Sequence, residues 1–372
     1  MSEEVRVLHI ISTLVSGGVQ SVVLNYAAAV KPYGVVFDYV VQGRGNPEME
    51  QACLEGGSKI YYLPQMTKHP ISFIFELSKL LREHREYRIL HTHHNFLNFI
   101  PLISAKKSNV PIRISHSHSY RETKKLTTKM VRLIVRKLIS KFGTEAWACS
   151  RNAYIWLYGN QYISSKSYIL HNAIETKYYR FSQENRNEIK ARINLDGASF
   201  YLICVATLSA NKNQSFLITI LKKLPDNFKL LLVGDGPIKP QLMELAKTLE
   251  VEKRVLFLGD RKDVPALLSA ADCFVLPSKA EGLGLAVVEA EANGLPCVIS
   301  DHVPREVAFT DKVWFESIGE NGVEAWKNRL LQIEASSYEH ISPPRDVVAA
   351  SGYDISVEGK KLAQKYKELF ER

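Results

Sequence analysis

Short apolar runs recur along the chain, and most are followed by a stretch whose apolar positions repeat every three and four residues. In the first half the runs fall at 5–11, 35–41, 60–63, 89–92, 112–115, 146–148 and 168–170, with helical periodicity over 19–30, 71–83 and 128–142. In the second half runs at 201–206, 228–233, 255–258, 273–276 and 297–299 alternate with helical patterns over 215–224, 239–249, 264–270 and 285–292. Continuous apolar strands belong to sheets covered on both faces, and strand–helix alternation gives parallel order. The pattern therefore predicts an α/β class with doubly wound parallel sheets. The polar stretch "FSQENRNEIKARINLDGA" at 181–198 breaks the rhythm. It divides the chain into domains at 1–190 and 191–352, followed by a lysine-rich helix at 353–372 expected to pack back toward the first domain.

Composition narrows the class. The 372 residues suffice for two domains, and no apolar run is long enough to cross a bilayer. The acidic start, Ser2-Glu3-Glu4, leads straight into a strand and does not read as a signal peptide. Cys53, Cys149, Cys204, Cys273 and Cys297 are scattered, with no C-x-x-C spacing, and read as core filler in a reducing cytoplasm. Residues 1–200 carry 27 Lys and Arg against 15 Asp and Glu, whereas 201–372 carry 21 against 24. All of the excess positive charge lies in the first half, which points to an anionic partner there.

In open α/β sheets ligands gather at the carboxyl ends of strands, so the loops that follow strands should carry the chemistry. After the first strand, Gly17-Gly18 lets backbone approach a ligand before a helix, but the loop lacks G-x-G-x-x-G, which disfavours a nicotinamide dinucleotide. In "VGDGP" at 233–237 the glycines permit a turn and Asp235 is expected to cap the next helix. In "ATLSANKNQ" at 206–214, Lys212 stands just before a helix, beside free N–H groups that suit a phosphate. The stretch "EGLGLAVVEAEANGLP" at 281–296 sets Glu281 in a loop, Gly282 and Gly284 at a helix start, and Glu289 two turns further on. Free helix N–H groups favour an anion, while the two carboxylates are suited to accept from neutral hydroxyls such as those of a sugar and a ribose.

The stretch at 271–301, "ADCFVLPSKAEGLGLAVVEAEANGLPCVISD", resembles the nucleotide-sugar site of retaining glycosyltransferase family 4, with its E-x7-E motif. "SGGVQ", "HTHHNF", "RISHSHS", "ACSRNAYIWLYG", "ILHNAIETKYYRF", "SANKNQSFL" and "LLLVGDGP" follow the family order, so the resemblance spans essentially the whole chain. It is similar to the branch found in capsule and exopolysaccharide clusters. The resemblance implies a GT-B fold, with two Rossmann-like domains facing across a cleft. It implies transfer of a sugar, with retention, from a nucleotide diphosphate sugar (UDP being the commonest donor) to a hydroxyl of a growing, lipid-linked surface polysaccharide. In that frame His116 sits at the reaction centre and Glu281 holds donor-sugar hydroxyls. The backbone of Gly282, Leu283, Gly284 and Leu285 meets sugar and diphosphate, Glu289 binds the ribose, and Lys212 neutralises the leaving diphosphate. Gly17 and Gly18 approach the donor phosphates or the acceptor, and His93 and His118 face the acceptor side. One departure stands out. The family has Gly-Arg after the first strand of the second domain, and this chain has Ala206-Thr207, which loses a bidentate charged contact. A catalytically weak partner subunit is therefore a second reading, and a nucleotide-sugar 2-epimerase of the same architecture a third.

The resemblance implies no cofactor and no metal. His91, His93, His94, His116 and His118 invite a metal by count, but H-x-H without a cysteine or carboxylate beside it speaks more for catalytic or acceptor contacts. The segment 121–142 is amphipathic: Val131, Ile134, Val135, Leu138 and Phe142 form an apolar stripe expected in the core. Lys129, Arg132 and Arg136, with Lys106, Lys107, Lys124 and Lys125, form a basic face over residues 106–141 for an anionic membrane surface. The expected location is cytoplasmic, peripheral at the inner face of the plasma membrane. No nucleic-acid motif accompanies the basic charge, and no nucleic-acid partner is expected.

Overall fold

The computed structural model describes residues 4–14, 18–118, 126–159, 167–336 and 338–372. They form two compact units. One comprises the chain up to Ile174 together with Asp354–Arg372, and the other is Glu175–Tyr353.

The first unit is a parallel sheet of seven strands: β1 (Val5–Ile10), β2 (Val35–Val41), β3 (Ile60–Tyr62), β4 (Ile89–Thr92), β5 (Ile112–Ser117), β6 (Glu145–Ala148) and β7 (Ser167–Ile169). Their order is β3-β2-β1-β4-β5-β6-β7, so the chain reverses direction across the sheet between β1 and β4. β2 is buried at every position, as a strand covered on both faces should be. The helix Ile355–Phe370 joins this unit. Asp354 caps it by accepting from Ser356 N at 3.0 Å. Gly359 lets it lie directly on the helix Gly18–Val30, where an added Cβ would stand 2.5 Å from Ala29 Cβ.

The second unit holds six parallel strands: β8 (Phe200–Val205), β9 (Phe228–Val233), β10 (Val255–Gly259), β11 (Cys273–Leu276), β12 (Cys297–Ser300) and β13 (Val313–Glu316). The order β10-β9-β8-β11-β12-β13 reverses between β8 and β11. Both sheets thus share the doubly wound plan, in which the loops flanking the reversal form a ligand crevice.

The boundary lies at 174/175, earlier than the polar stretch at 181–198 suggests. Much of that stretch is folded. Gln183–Arg192 is a helix capped by Ser182, with Ile189 buried against the second unit. Its Arg186 donates to Asp272 Oδ1 at 2.5 Å and to the carbonyls of Ser269 and Ala271 at 3.0 and 2.9 Å. The polar residues were its solvent face. The strand β13 and the helix Gly322–Ala335 also lie outside the elements expected from the sequence.

Two glycines of "VGDGP" have a packing reason. A Cβ on Gly234 would stand 2.4 Å from the Ala206 carbonyl oxygen, and one on Gly236 would stand 2.2 Å from that of Leu208. Asp235 does not cap the following helix, which begins at Lys239; its Oδ1 accepts from Gly236 N at 2.8 Å and closes the turn itself. Among the described residues no helix is long and apolar enough to cross a membrane.

Candidate active site

In the second unit the residues singled out by sequence lie on three segments. The loop after β8 carries Thr207 and Lys212, the loop after β11 carries Glu281 to Gly284, and the helix Leu285–Asn293 carries Glu289. Backbone and side-chain bonds tie the two loops together. Lys279 N donates to the Asn211 carbonyl at 2.8 Å, Asn211 Nδ2 to the Ala280 carbonyl at 2.8 Å, and Asn213 Nδ2 to the Pro277 carbonyl at 3.3 Å. Across this seam Lys212 Nζ donates to Glu281 Oε1 at 2.6 Å. Glu281 is buried and Lys212 only partly exposed, so the pair is shielded enough to hold both side chains in place.

Gly284 adopts φ +96°, a left-handed turn that an L side chain resists, and no side chain caps the helix that follows. The first N–H groups of Leu285–Asn293 therefore remain for an anion. Leu283 is buried, so Gly282, Gly284 and Leu285 offer the accessible backbone of the motif. Thr207 is exposed, and its carbonyl accepts from Gln214 Nε2 at 3.0 Å.

Glu289 is part-buried on the helix and accepts from Tyr179 Oη at 2.9 Å. Burial lifts its carboxyl to about 7, and the Tyr179 bond holds it from rising further. Tyr179 is fixed in turn, because its carbonyl accepts from Asn293 Nδ2 at 2.9 Å. This tyrosine lies in "ETKYYRF", a segment matched on sequence without a role for the ring. Glu291, two residues on, is a structural carboxylate: it accepts from Phe309 N, Thr310 N and Thr310 Oγ1 at 3.1, 2.9 and 2.7 Å.

In the first unit, Gly18 opens the helix Gly18–Val30, and Gly17 lies outside the described residues. His93, His116 and His118 come together, and they do so with two more rings. His9 on β1 pairs in register with His91 on β4, and side chains two apart along β4 and β5 share one face. The result is a stack of five buried imidazoles. His9 Nδ1 bonds His93 Nε2 at 2.9 Å, His93 Nδ1 bonds His118 Nε2 at 2.8 Å, and His91 Nε2 bonds His116 Nδ1 at 3.0 Å. His91 Nδ1 meets Tyr366 Oη of the C-terminal helix at 2.7 Å. Burial, joined for all but His9 by repulsion from neighbouring rings, keeps every ring neutral; His9 and His118 are pushed down to about 3. His9 had no part in the sequence expectation, because a single histidine in a strand carries no signal until register places it.

The basic face divides differently from the helical wheel. On the helix Leu126–Phe142, Arg136 donates to the carbonyls of Ile155, Trp156 and Leu157 at 3.0 Å each, closing the end of Arg151–Tyr158. Arg132 lies 5.5 Å from the Trp156 ring and 5.8 Å from that of Phe96. These two cations serve the fold. Val131 and Ile134, expected in the core, are instead exposed, together with Met130 and Leu133, whereas Val135 and Ile139 are buried. Lys106, Lys107, Lys137 and Lys141 are exposed; residues 121–125 and the side chain of Lys129 lie outside the described set.

This arrangement, of two doubly wound units with an E-x7-E helix bonded to a lysine loop, defines a GT-B glycosyltransferase. The family model "Glycosyltransferase Family 4" matches residues 16–178, and "Glycosyl transferases group 1" matches 185–343. The chain belongs to glycosyltransferase family 4. It is similar to the putative glycosyltransferase EpsF of Bacillus subtilis, at 28% identity over 361 residues, 95% of this chain and 94% of that one. It is also similar to the UDP-Gal:alpha-D-GlcNAc-diphosphoundecaprenol alpha-1,3-galactosyltransferase of Escherichia coli, at 26% identity covering 75% of this chain and 76% of that protein. Among solved structures, HepE of Anabaena in complex with UDP and glucose superposes with a TM-score of 0.80 at 17% identity, covering 98% of this chain and all of that one. The lipopolysaccharide glycosyltransferase WaaG gives a TM-score of 0.71 at 17% identity over 97% of this chain and 99% of its own.

Proposed function

We propose that this glycosyltransferase moves a hexosyl group from a UDP-sugar, with retention at the anomeric carbon, to a hydroxyl of a lipid-linked acceptor in surface-polysaccharide assembly. The observation that carries the donor half is the Lys212–Glu281 pair at the head of an uncapped helix, with Glu289 held by Tyr179 further along it. A cation and helix N–H groups suit a diphosphate, and two carboxylates aligned along the same ligand suit the hydroxyls of a sugar and a ribose. The relative named as a galactosyltransferase acting on a GlcNAc-diphosphoundecaprenol supports a lipid-linked acceptor.

In the step proposed, the bond from the anomeric carbon to the diphosphate oxygen breaks as the acceptor oxygen forms its bond on the same face. The acceptor proton passes to the departing phosphate oxygen, so no lasting covalent enzyme intermediate arises. Lys212 leaves Glu281 to follow the growing negative charge on the diphosphate, and Glu281 is then free to accept from sugar hydroxyls. No metal is called for at the diphosphate. The exposed lysines 106, 107, 137 and 141, beside the apolar side chains of Met130, Val131, Leu133 and Ile134, suit a peripheral site on an anionic membrane at the cytoplasmic face.

Purified protein supplied with a panel of UDP-sugars and membrane-extracted acceptor should form a glycolipid product with one of them. Glu281→Ala should abolish transfer while the melting temperature shows a folded chain. Full turnover in that variant removes the donor assignment. Failure to pellet with anionic vesicles at low salt removes the membrane site.

A further inference from the structure

Sugar transfer, for which the family resemblance uses His116, His93 and His118, does not by itself account for five stacked histidines. The rings come from three neighbouring strands, and adjacent centroids lie close: 4.0 Å for His116 and His118, 4.3 Å for His91 and His93, 5.0 Å for His93 and His118. Among the described residues no carboxylate bonds to any of the five. A neutral imidazole has one donor and one acceptor nitrogen, so hydrogen bonding between the rings can be counted. The row His9–His93–His118 makes two bonds and leaves His9 Nε2 and His118 Nδ1 buried with no partner. The row Tyr366–His91–His116 leaves His116 Nε2 in the same condition. A core that merely packed these rings would not be expected to keep three orphaned nitrogens.

The nitrogens have a geometry that a metal can use. One ring nitrogen from each of His93, His116 and His118 lies within 4.8 Å of the other two. The rings border a small space of about 10 Å³, room for about one ion or water. We propose that His93, His116 and His118 bind a single late first-row transition-metal ion of the zinc type. A second triad, His9, His91 and His93, meets the same distance criterion, but it is sealed more tightly and offers one orphaned nitrogen instead of two. His93 and His118 are the least buried of the five, at 7% and 9% exposure against 1% for the others, which gives an ion its way in.

In the proposed site, His9 and His91 hold the outer nitrogens. His9 Nδ1 bonds His93 Nε2 and His91 Nε2 bonds His116 Nδ1, so Nδ1 of His93 and Nε2 of His116 are the atoms that would coordinate; His116 Nε2 is without a partner, and the bond from His93 Nδ1 to His118 at 2.8 Å is given up when the ion binds. Outer bonds of this kind fix tautomer and ring orientation at metal sites. Tyr366 in turn holds His91. Three neutral imidazoles leave the ion its full charge and a fourth position for a water or substrate oxygen.

The test uses the full chain without a polyhistidine tag, stripped with chelator, loaded with Zn²⁺, Cu²⁺ or Ni²⁺ and desalted. Elemental analysis should find one Zn²⁺ per chain, and the Cu²⁺ form should show nitrogen superhyperfine lines in its EPR spectrum. His118→Gln and His93→Gln should each lower Zn²⁺ affinity by at least about tenfold, and His9→Gln, through His93, by about 10–100-fold. His94→Gln should leave it unchanged, since His94 bonds Gln42 outside the triad. Circular dichroism and melting establish that each variant is folded; His118, just past the end of β5, serves if His93→Gln fails to fold. Less than stoichiometric Zn²⁺ in the loaded parent overturns the proposal, as does full affinity in a folded His118→Gln. These readouts do not depend on sugar transfer.

Discussion

In the proposed donor site Glu289 sets nucleotide binding against stability, and Glu289→Gln separates the two. In the unfolded chain the carboxyl ionises near 4.5; in the folded protein burial lifts it to about 7. Between those values the folded state keeps a proton that the unfolded state has lost. Stability therefore falls as pH rises through this window and stays lowered above it. The difference of about 2.5, at 1.36 kcal/mol each, corresponds to about 3 kcal/mol lost once the group is ionised. Glutamine has no charge to bury and keeps an oxygen for Tyr179. The variant should match the parent at about pH 4 and exceed it by about 3 kcal/mol at about pH 8. For a unit of this size that is roughly 5–10 °C in melting temperature. Thermal and denaturant unfolding at both pH values measure it, and titration with UDP should show affinity reduced by about tenfold or more, the loss of a charge-assisted bond. Equal stability at high pH would refute the desolvated carboxylate. Unchanged UDP affinity would refute the ribose contact while leaving the stability argument standing.

Four further outcomes follow from the same geometry. Tyr179→Phe removes the bond that holds the Glu289 carboxyl down, so UDP affinity should weaken several-fold and recover only at higher pH, as read by calorimetric titration. Lys212→Ala strands a buried carboxylate and should cost about 1–3 kcal/mol of stability together with turnover, measured by denaturant unfolding and product formation. Gly236→Ala pushes a methyl group against the Leu208 carbonyl and should destabilise the second unit by about 1–3 kcal/mol in the same unfolding assay. Thr207→Arg should raise turnover if diphosphate charge is under-neutralised; unchanged turnover argues that Lys212 and the helix suffice.

The sequence carried the donor loops well because their signals are local. A glycine at a helix start, a lysine before a helix and a glutamate about one turn in are each set by short-range geometry: Gly284 precedes the helix, Glu289 lies on it, and Lys212 meets Glu281. The strand β13, "VWFE", carries an apolar run of only three residues, Val313–Phe315, set between Lys312 and Glu316 and only part-buried at the sheet edge, and no recognised helical pattern follows it to mark a strand–helix unit. His9 and Tyr179 were illegible for another reason. Each acquires meaning through a partner far along the chain, His91 across a parallel register and Glu289 through a hydroxyl, and no spacing rule reaches that distance. Periodicity also misjudged Val131 and Ile134. It established that one face of the helix is apolar, but burial goes to the side that carries Val135 and Ile139.

The first unit is assembled from both ends of the described chain, with the second unit inserted between Ile174 and Asp354. During translation the residues of β1 to β7 leave the ribosome long before the helix that covers Gly18–Val30 has been made. The inserted segment Glu175–Tyr353 is contiguous and can close on its own while its elder neighbour waits. The half synthesised first is thus completed last, when Gly359 reaches Ala29 and Tyr366 reaches His91. Until then an apolar helix face and a bed of histidines stay open to chaperones, and a ribosome stalled before residue 354 releases a chain with one finished unit and one unfinished.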